Sequence, residues 1–79
     1  PSTRIPFALP FESNVTINIY NIQGRLVQEL LNSQLNSGYH DVLWEASHLA
    51  SGLYFMKFES ISLESSKSFS KVQKALLVK

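Results

Sequence analysis

Apolar and polar residues alternate over much of this chain. Ile5, Phe7 and Leu9 interleave with Arg4, Pro6 and Ala8, the period-two pattern of a strand with one buried face. Pro6 removes a backbone donor, which assigns the segment to a sheet edge. Pro10 ends it, and Phe11, Glu12, Ser13 and Asn14 read as the turn. Over residues 15–20, Val15, Ile17 and Ile19 take one face and Thr16, Asn18 and Tyr20 the other, with β-branched residues that favour extended backbone. Asn21, Ile22, Gln23 and Gly24 then make a tight connection. A type I turn closed by Gly24 in the left-handed region suits a hairpin here.

The next segment mixes two signals. Leu26, Val27, Leu30 and Leu31 fall at helical spacing, and Gln28 and Glu29 favour helix. The run is too short for a free-standing amphipathic helix and lacks a good N-cap, so a bulged strand paired back on residues 15–20 is predicted. Residues 32–37 read as a polar loop. Gly38 opens a strand with His40, Val42 and Trp44 on one face and Asp41, Leu43 and Glu45 on the other. Residues 46–51 form a loop plugged by Leu49. Gly52 starts a strand with Tyr54, Met56 and Phe58 on one face and Leu53 and Phe55 on the other; apolar residues on both faces predict a central strand or a face covered by another domain.

Ile61 and Leu63 slip out of phase with Met56 and Phe58, which predicts a bulge near Glu59 and Ser60. Ser65 and Ser66 form the turn, Lys67 begins the returning strand, and Ala75, Leu76, Leu77, Val78 and Lys79 dock as the terminal strand. Six or seven short strands separated by turn signals predict an all-β fold, a small antiparallel two-sheet immunoglobulin-like β-sandwich.

Composition narrows the function. At 79 residues and 44% hydrophobic, the chain is one domain near the lower limit for a self-sufficient core. With no cysteine it has neither a disulfide nor a thiolate metal site, so its stability rests on packing. A net charge of +1 from 7 basic and 6 acidic residues, spread along the chain, argues against a nucleic-acid groove or a polybasic membrane anchor. No apolar run reaches the roughly 18–20 residues of a helical membrane span. The opening Pro1, Ser2 and Thr3, without an initiator Met or signal peptide, reads as a piece of a longer protein.

Catalytic chemistry needs converging groups, and few are present. His40 and His48, with Asp41 and Glu45 between them, lack a metal-ligand spacing; they read as a rim histidine beside Trp44 and a solvated loop histidine. No Gly-x-Ser-x-Gly elbow activates a serine, and Gly24, Gly38 and Gly52 are isolated turn glycines. No catalytic, metal or cofactor residue is assigned, and the domain is read as not an enzyme. Tyr20, Tyr39, Trp44, Tyr54 and Phe55 are of the types that build a carbohydrate platform, but Trp44 is in phase with Val42 and reads as core. Asn14, Val15 and Thr16 match the N-glycosylation acceptor pattern, with Val15 in the buried phase of its strand.

Several motifs occur in one order. Pro1, Ser2, Thr3, Arg4 and Ile5 lead through to Leu9 and Pro10. Residues 15–20 run into Asn21, Ile22, Gln23, Gly24 and Arg25. The pattern Gly38-x-His40-x-Val42-x-Trp44 precedes Leu49, Ala50, Ser51, Gly52, Leu53, Tyr54 and Phe55, and the chain closes on residues 74–79. In this order and spacing the chain resembles the type A C-terminal sorting domain of proteins exported by the type IX (Por) secretion system of Bacteroidota and their relatives. The Ig-like domain of flagellar hook-capping proteins shares some of these features. Departures from the family pattern are Glu45 where Asp is commoner, Ala50 where Pro is commoner, and a longer, serine-rich stretch between Met56 and Gln73.

The resemblance implies a domain placed last in a larger secreted protein, with an upstream cargo domain in the same chain. Such a protein would cross the inner membrane through a separate signal, fold in the periplasm and be recognised by the outer-membrane type IX translocon. A sortase-like peptidase would then remove the domain and attach the cargo at the cell surface. The recognition element would be the terminal strand, Lys74, Leu76, Leu77, Val78 and Lys79, with Gly24, Arg25, Gly38, Trp44, Ser51, Gly52, Tyr54 and Phe55 as structural motif residues. The alternative is an Ig-like spacer or accessory domain of an extracellular enzyme that binds carbohydrate.

Overall fold

The computed structural model describes residues 2–79. Pro1, the first residue of the opening motif, lies outside the described residues. Six strands follow in chain order: β1 (Ser2–Leu9), β2 (Ser13–Tyr20), β3 (Leu26–Leu35), β4 (Gly38–Glu45), β5 (Gly52–Ser62) and β6 (Ser68–Leu77). They form two antiparallel sheets, a two-stranded β1-β4 sheet and a four-stranded sheet in the order β3-β2-β5-β6, stacked as a small β-sandwich. Among the described residues β1 pairs only with β4, so Pro6 stands on an edge strand, opposite Asp41.

The interior follows the alternation. Val15, Ile17 and Ile19 of β2 are fully buried, while Thr16, Asn18 and Tyr20 face outward. One cluster gathers Ile19, Trp44, Ala46, Tyr54 and Leu77; a second gathers Leu9, Val15 and Ile17 with Phe7, Leu31 and Phe58 around them. Rings lock the sheets together. Phe7 of one sheet meets Phe58 of the other edge-on at 5.3 Å, and Trp44 meets Tyr54 edge-on at 6.3 Å.

β3 explains its own mixed signal. Ile17 pairs with Leu31 and Asn18 with Glu29, leaving Leu30 without a partner; Ile19 pairs with Gln28 and Tyr20 with Leu26, leaving Val27 likewise. Two bulges therefore insert the very residues that gave helical spacing, and each bulge turns its apolar side chain toward the core. The strand runs further than expected: it continues through Asn32, Ser33, Gln34 and Leu35, and only Asn36 and Ser37 connect it to β4. The polar loop over residues 32–37 is thus corrected. Asn32, Ser33 and Gln34 are exposed partners of β2 in an edge strand, where polar side chains cost nothing.

The bulge expected near Glu59 and Ser60 is absent. β5 keeps one unbroken register with β2 and with β6, and Ile61 and Leu63 face solvent. The inward positions go to Ser60 and Ser62, and Ser62 is buried for a reason. Its hydroxyl accepts hydrogen bonds from the backbone N–H groups of Glu64 (3.2 Å) and Ser65 (3.3 Å), capping the turn into β6. β5 lies between β2 and β6, the central position predicted from its two apolar faces.

Candidate functional site

The motif residues build a support, and the support holds the terminal strand. In the β2–β3 hairpin the Asn21 side-chain oxygen accepts from the backbone N–H groups of Gln23 and Arg25, both at 3.0 Å. Gly24 takes φ +82°, which a side chain would strain, and its N–H donates to the Asn21 carbonyl at 3.0 Å. Gly38 opens β4 at φ +120°.

Trp44 is 6% exposed and its indole N–H donates to the Gln28 side-chain oxygen at 3.2 Å. Gln28 sits between the two bulges of β3. Sequence reasoning missed this partner because a bulged strand does not reveal which side chain it turns inward. The buried Tyr54 hydroxyl donates to the Ala50 carbonyl at 2.7 Å, the arrangement of a tyrosine corner where the chain passes from β4 to β5. The intervening loop is braced by Leu49 N–H on the Ala46 carbonyl (3.0 Å).

That loop then grips the chain end. The backbone N–H of Lys79 donates to the Ser51 hydroxyl at 3.0 Å, and the Lys79 ammonium donates to the Ser47 carbonyl. Leu77 packs into the cluster of Trp44, Tyr54 and Ile19. The other residues assigned to recognition point elsewhere. Lys74 stands opposite Phe55 and Leu76 opposite Leu53 on the outer face of the four-stranded sheet. Leu76 is 73% exposed and Val78, beyond the strand end, is 74% exposed. The five residues thus divide between one inward anchor, Leu77, and four exposed side chains. β6 pairs on one side only, with β5.

The aromatic side chains do not assemble a platform. Trp44 and Tyr54 are internal, Tyr20 and Phe55 are cross-strand neighbours on the outer face, and the fully exposed Tyr39 lies in the other sheet. His40 stacks on Phe7 at 5.5 Å with Nε2 2.7 Å from the Asn36 carbonyl oxygen, while His48 is exposed in the loop. Among the described residues no three His, Cys, Asp or Glu side chains cluster to hold a metal ion. Nor, among the described residues, is any helix long and apolar enough to cross a membrane.

Glu45 caps the start of the loop between β4 and β5. The Ser47 hydroxyl, and its backbone N–H at 2.8 Å from Oε1, hold the Glu45 carboxyl below its usual range. A depressed folded-state pKa contributes stability that is present above the unfolded value and lost as pH falls through the folded one. Glu45→Gln is therefore expected to be slightly less stable than the parent at neutral pH, with the difference closing in acid. Paired urea titrations at neutral and acid pH check this; a difference that grows in acid would contradict it.

These features define a small two-sheet β-module whose surface chemistry lies in strand edges and exposed side chains. Compared with known proteins, the chain matches the family described as the secretion system C-terminal sorting domain over residues 2–73. The chain belongs to that family, the type IX (Por) sorting tails. No curated protein and no solved structure matches it. Membership ties the domain to export by the type IX machinery, with secretion or a cell-surface location as the outcome. The matched region stops at Gln73, so residues 74–79 draw no support from it.

Proposed function

We propose that this chain is the sorting signal of a larger secreted protein, carrying an upstream cargo domain from the periplasm across the outer membrane through the type IX translocon. The observation that carries the reading is the family match over residues 2–73. The C-terminal strand and its extension are the part the translocon reads: Lys74, Leu76, Val78 and Lys79 supply exposed side chains, while Leu77 and the Lys79–Ser51 bond fix the segment on the core. A strand with one unpaired edge offers backbone donors and acceptors that a partner can pair with, and outward side chains that it can select.

After export, a sortase-like peptidase removes the domain and attaches the cargo at the cell surface. The test is a periplasmic reporter fused ahead of residue 1 and produced in a type IX-competent host. The exported reporter is expected to have lost the mass of the 79 residues. An exported product that retains them would remove the peptidase step, and a reporter that stays in the periplasm would remove the sorting role.

A further inference from the structure

Two strand edges face each other across an open cleft. β1 and β6 are each paired on one side only, and the two-stranded sheet is too narrow to cover β6. Between them run three adjoining cavities of ≈ 420, ≈ 290 and ≈ 460 Å³, each lined by residues of both strands. Phe7, Phe58 and Phe69 form the apolar floor, with Phe58 edge-on to Phe7 at 5.3 Å and to Phe69 at 6.1 Å. Phe69 is more than half exposed there.

The charge along the cleft has one sign. Lys67, Lys71 and Arg4 line it, Lys74 borders it with its side chain on the outer face of β6, and no Asp or Glu lines it. Asp41 partners Arg4 at 3.4 Å and Glu59 reaches Lys57 at 4.0 Å; among the described residues Lys67, Lys71 and Lys74 have no ion pair. The two edges also differ. Pro6 interrupts the donors of β1, whereas β6 carries no proline over Ser68–Leu77. Directly opposed pairs put Phe69, Lys71, Gln73 and Ala75 on the inner face of β6, beside Ser60, Phe58, Met56 and Tyr54. A strand added to β6 would set its own inward side chains against that series. Lysines on an exposed edge repel a second cationic strand and leave an acidic one favoured.

We propose that the β1/β6 cleft is a peptide-binding groove for an extended, acidic segment of a partner protein, in which apolar and Asp or Glu side chains alternate. The segment pairs its backbone with the free edge of β6, places an apolar side chain on Phe69 and a carboxylate on Lys71. The groove shares the free β6 edge with the proposed translocon contact, but it is read through the inward side chains of Phe69 and Lys71, which the sorting proposal does not use.

The test titrates the 79-residue chain with two fluorescent decapeptides, one alternating Val or Phe with Glu and the other alternating the same residues with Lys. The Glu peptide is expected to bind, more weakly as salt rises, and about ten-fold more tightly than the Lys peptide. Lys71→Glu is expected to reverse that preference, and Phe69→Ala to weaken both peptides. Both positions are exposed, so the variants keep the fold, which amide NMR spectra verify. Hydrogen exchange should show new protection in β6 on binding. Absence of binding, equal binding of the two peptides, or unchanged preference in Lys71→Glu overturns the proposal. So does sedimentation showing that a second copy of the chain fills the cleft. Any of these results, with reporter export intact, would leave the sorting function standing.

Discussion

Trp44→Ala is expected to lower the unfolding free energy by about 3–5 kcal/mol, the range for removing a large buried aromatic side chain. Trp44 is 6% exposed, stands edge-on to Tyr54 and belongs to the cluster that includes Ile19, Ala46 and Leu77. Its loss opens a cavity between the sheets and leaves the Gln28 side-chain oxygen without its indole donor. Folded domains carry about 0.05–0.15 kcal/mol per residue, which gives roughly 4–12 kcal/mol for a chain of this length. If the domain lies at the low end of that range, the variant is expected to be largely unfolded. Urea unfolding followed by circular dichroism makes the measurement, since the only tryptophan is the one removed. A loss below about 1 kcal/mol would mean that the ring is not a core element.

Leu76 and Leu77 are neighbours with opposite expected behaviour. Leu77→Ala is expected to cost about 2–3 kcal/mol, because Leu77 packs against Trp44 and Tyr54. Leu76→Ala is expected to change stability by no more than about 0.5 kcal/mol, because its side chain is mostly in solvent. If the terminal segment is read by the translocon, Leu76→Asp should impair export while thermal unfolding of the domain is unchanged. Export of Leu76→Asp at the parental level would take that residue out of the recognition surface. The pair separates two reasons for losing export, a domain that no longer folds and a fold whose partner no longer recognises it.

The expected all-β, two-sheet organisation is what the structure has, and particular residues show why it was legible. Val15, Ile17 and Ile19 alternate without interruption, so period two alone fixed the faces of β2, and Trp44 could be placed inside from its phase with Val42. Register was harder to read. Val27 and Leu30 are bulge residues, and a bulge rotates side chains by one position without changing composition, so β3 carried a helical spacing while being a strand. At Ser62 the error ran the other way. Apolar Ile61 and Leu63 suggested a phase slip, but the turn into β6 requires the Ser62 hydroxyl inward, and tertiary need decided the phase.

The candidate site was legible as a list of residues and not as a surface. Leu76, Leu77 and Val78 are adjacent apolar positions in sequence, and nothing local distinguishes the buried one from the two exposed ones. Ser51 was recognisable as part of a motif, while its contact with Lys79 joins residues 28 positions apart and could not be read from spacing. The open cleft beside β6 depends on how few strands the opposing sheet contains, a property of the assembled fold.

The central claim is that these 79 residues suffice to direct export. The most direct measurement is the distribution of a periplasmic reporter joined ahead of residue 1, compared between a type IX-competent host and the same host without its translocon. Reporter is expected outside the cells or on their surface in the first and confined to the periplasm in the second. Reporter retained in the periplasm of both hosts, with the fused domain folded, would contradict it.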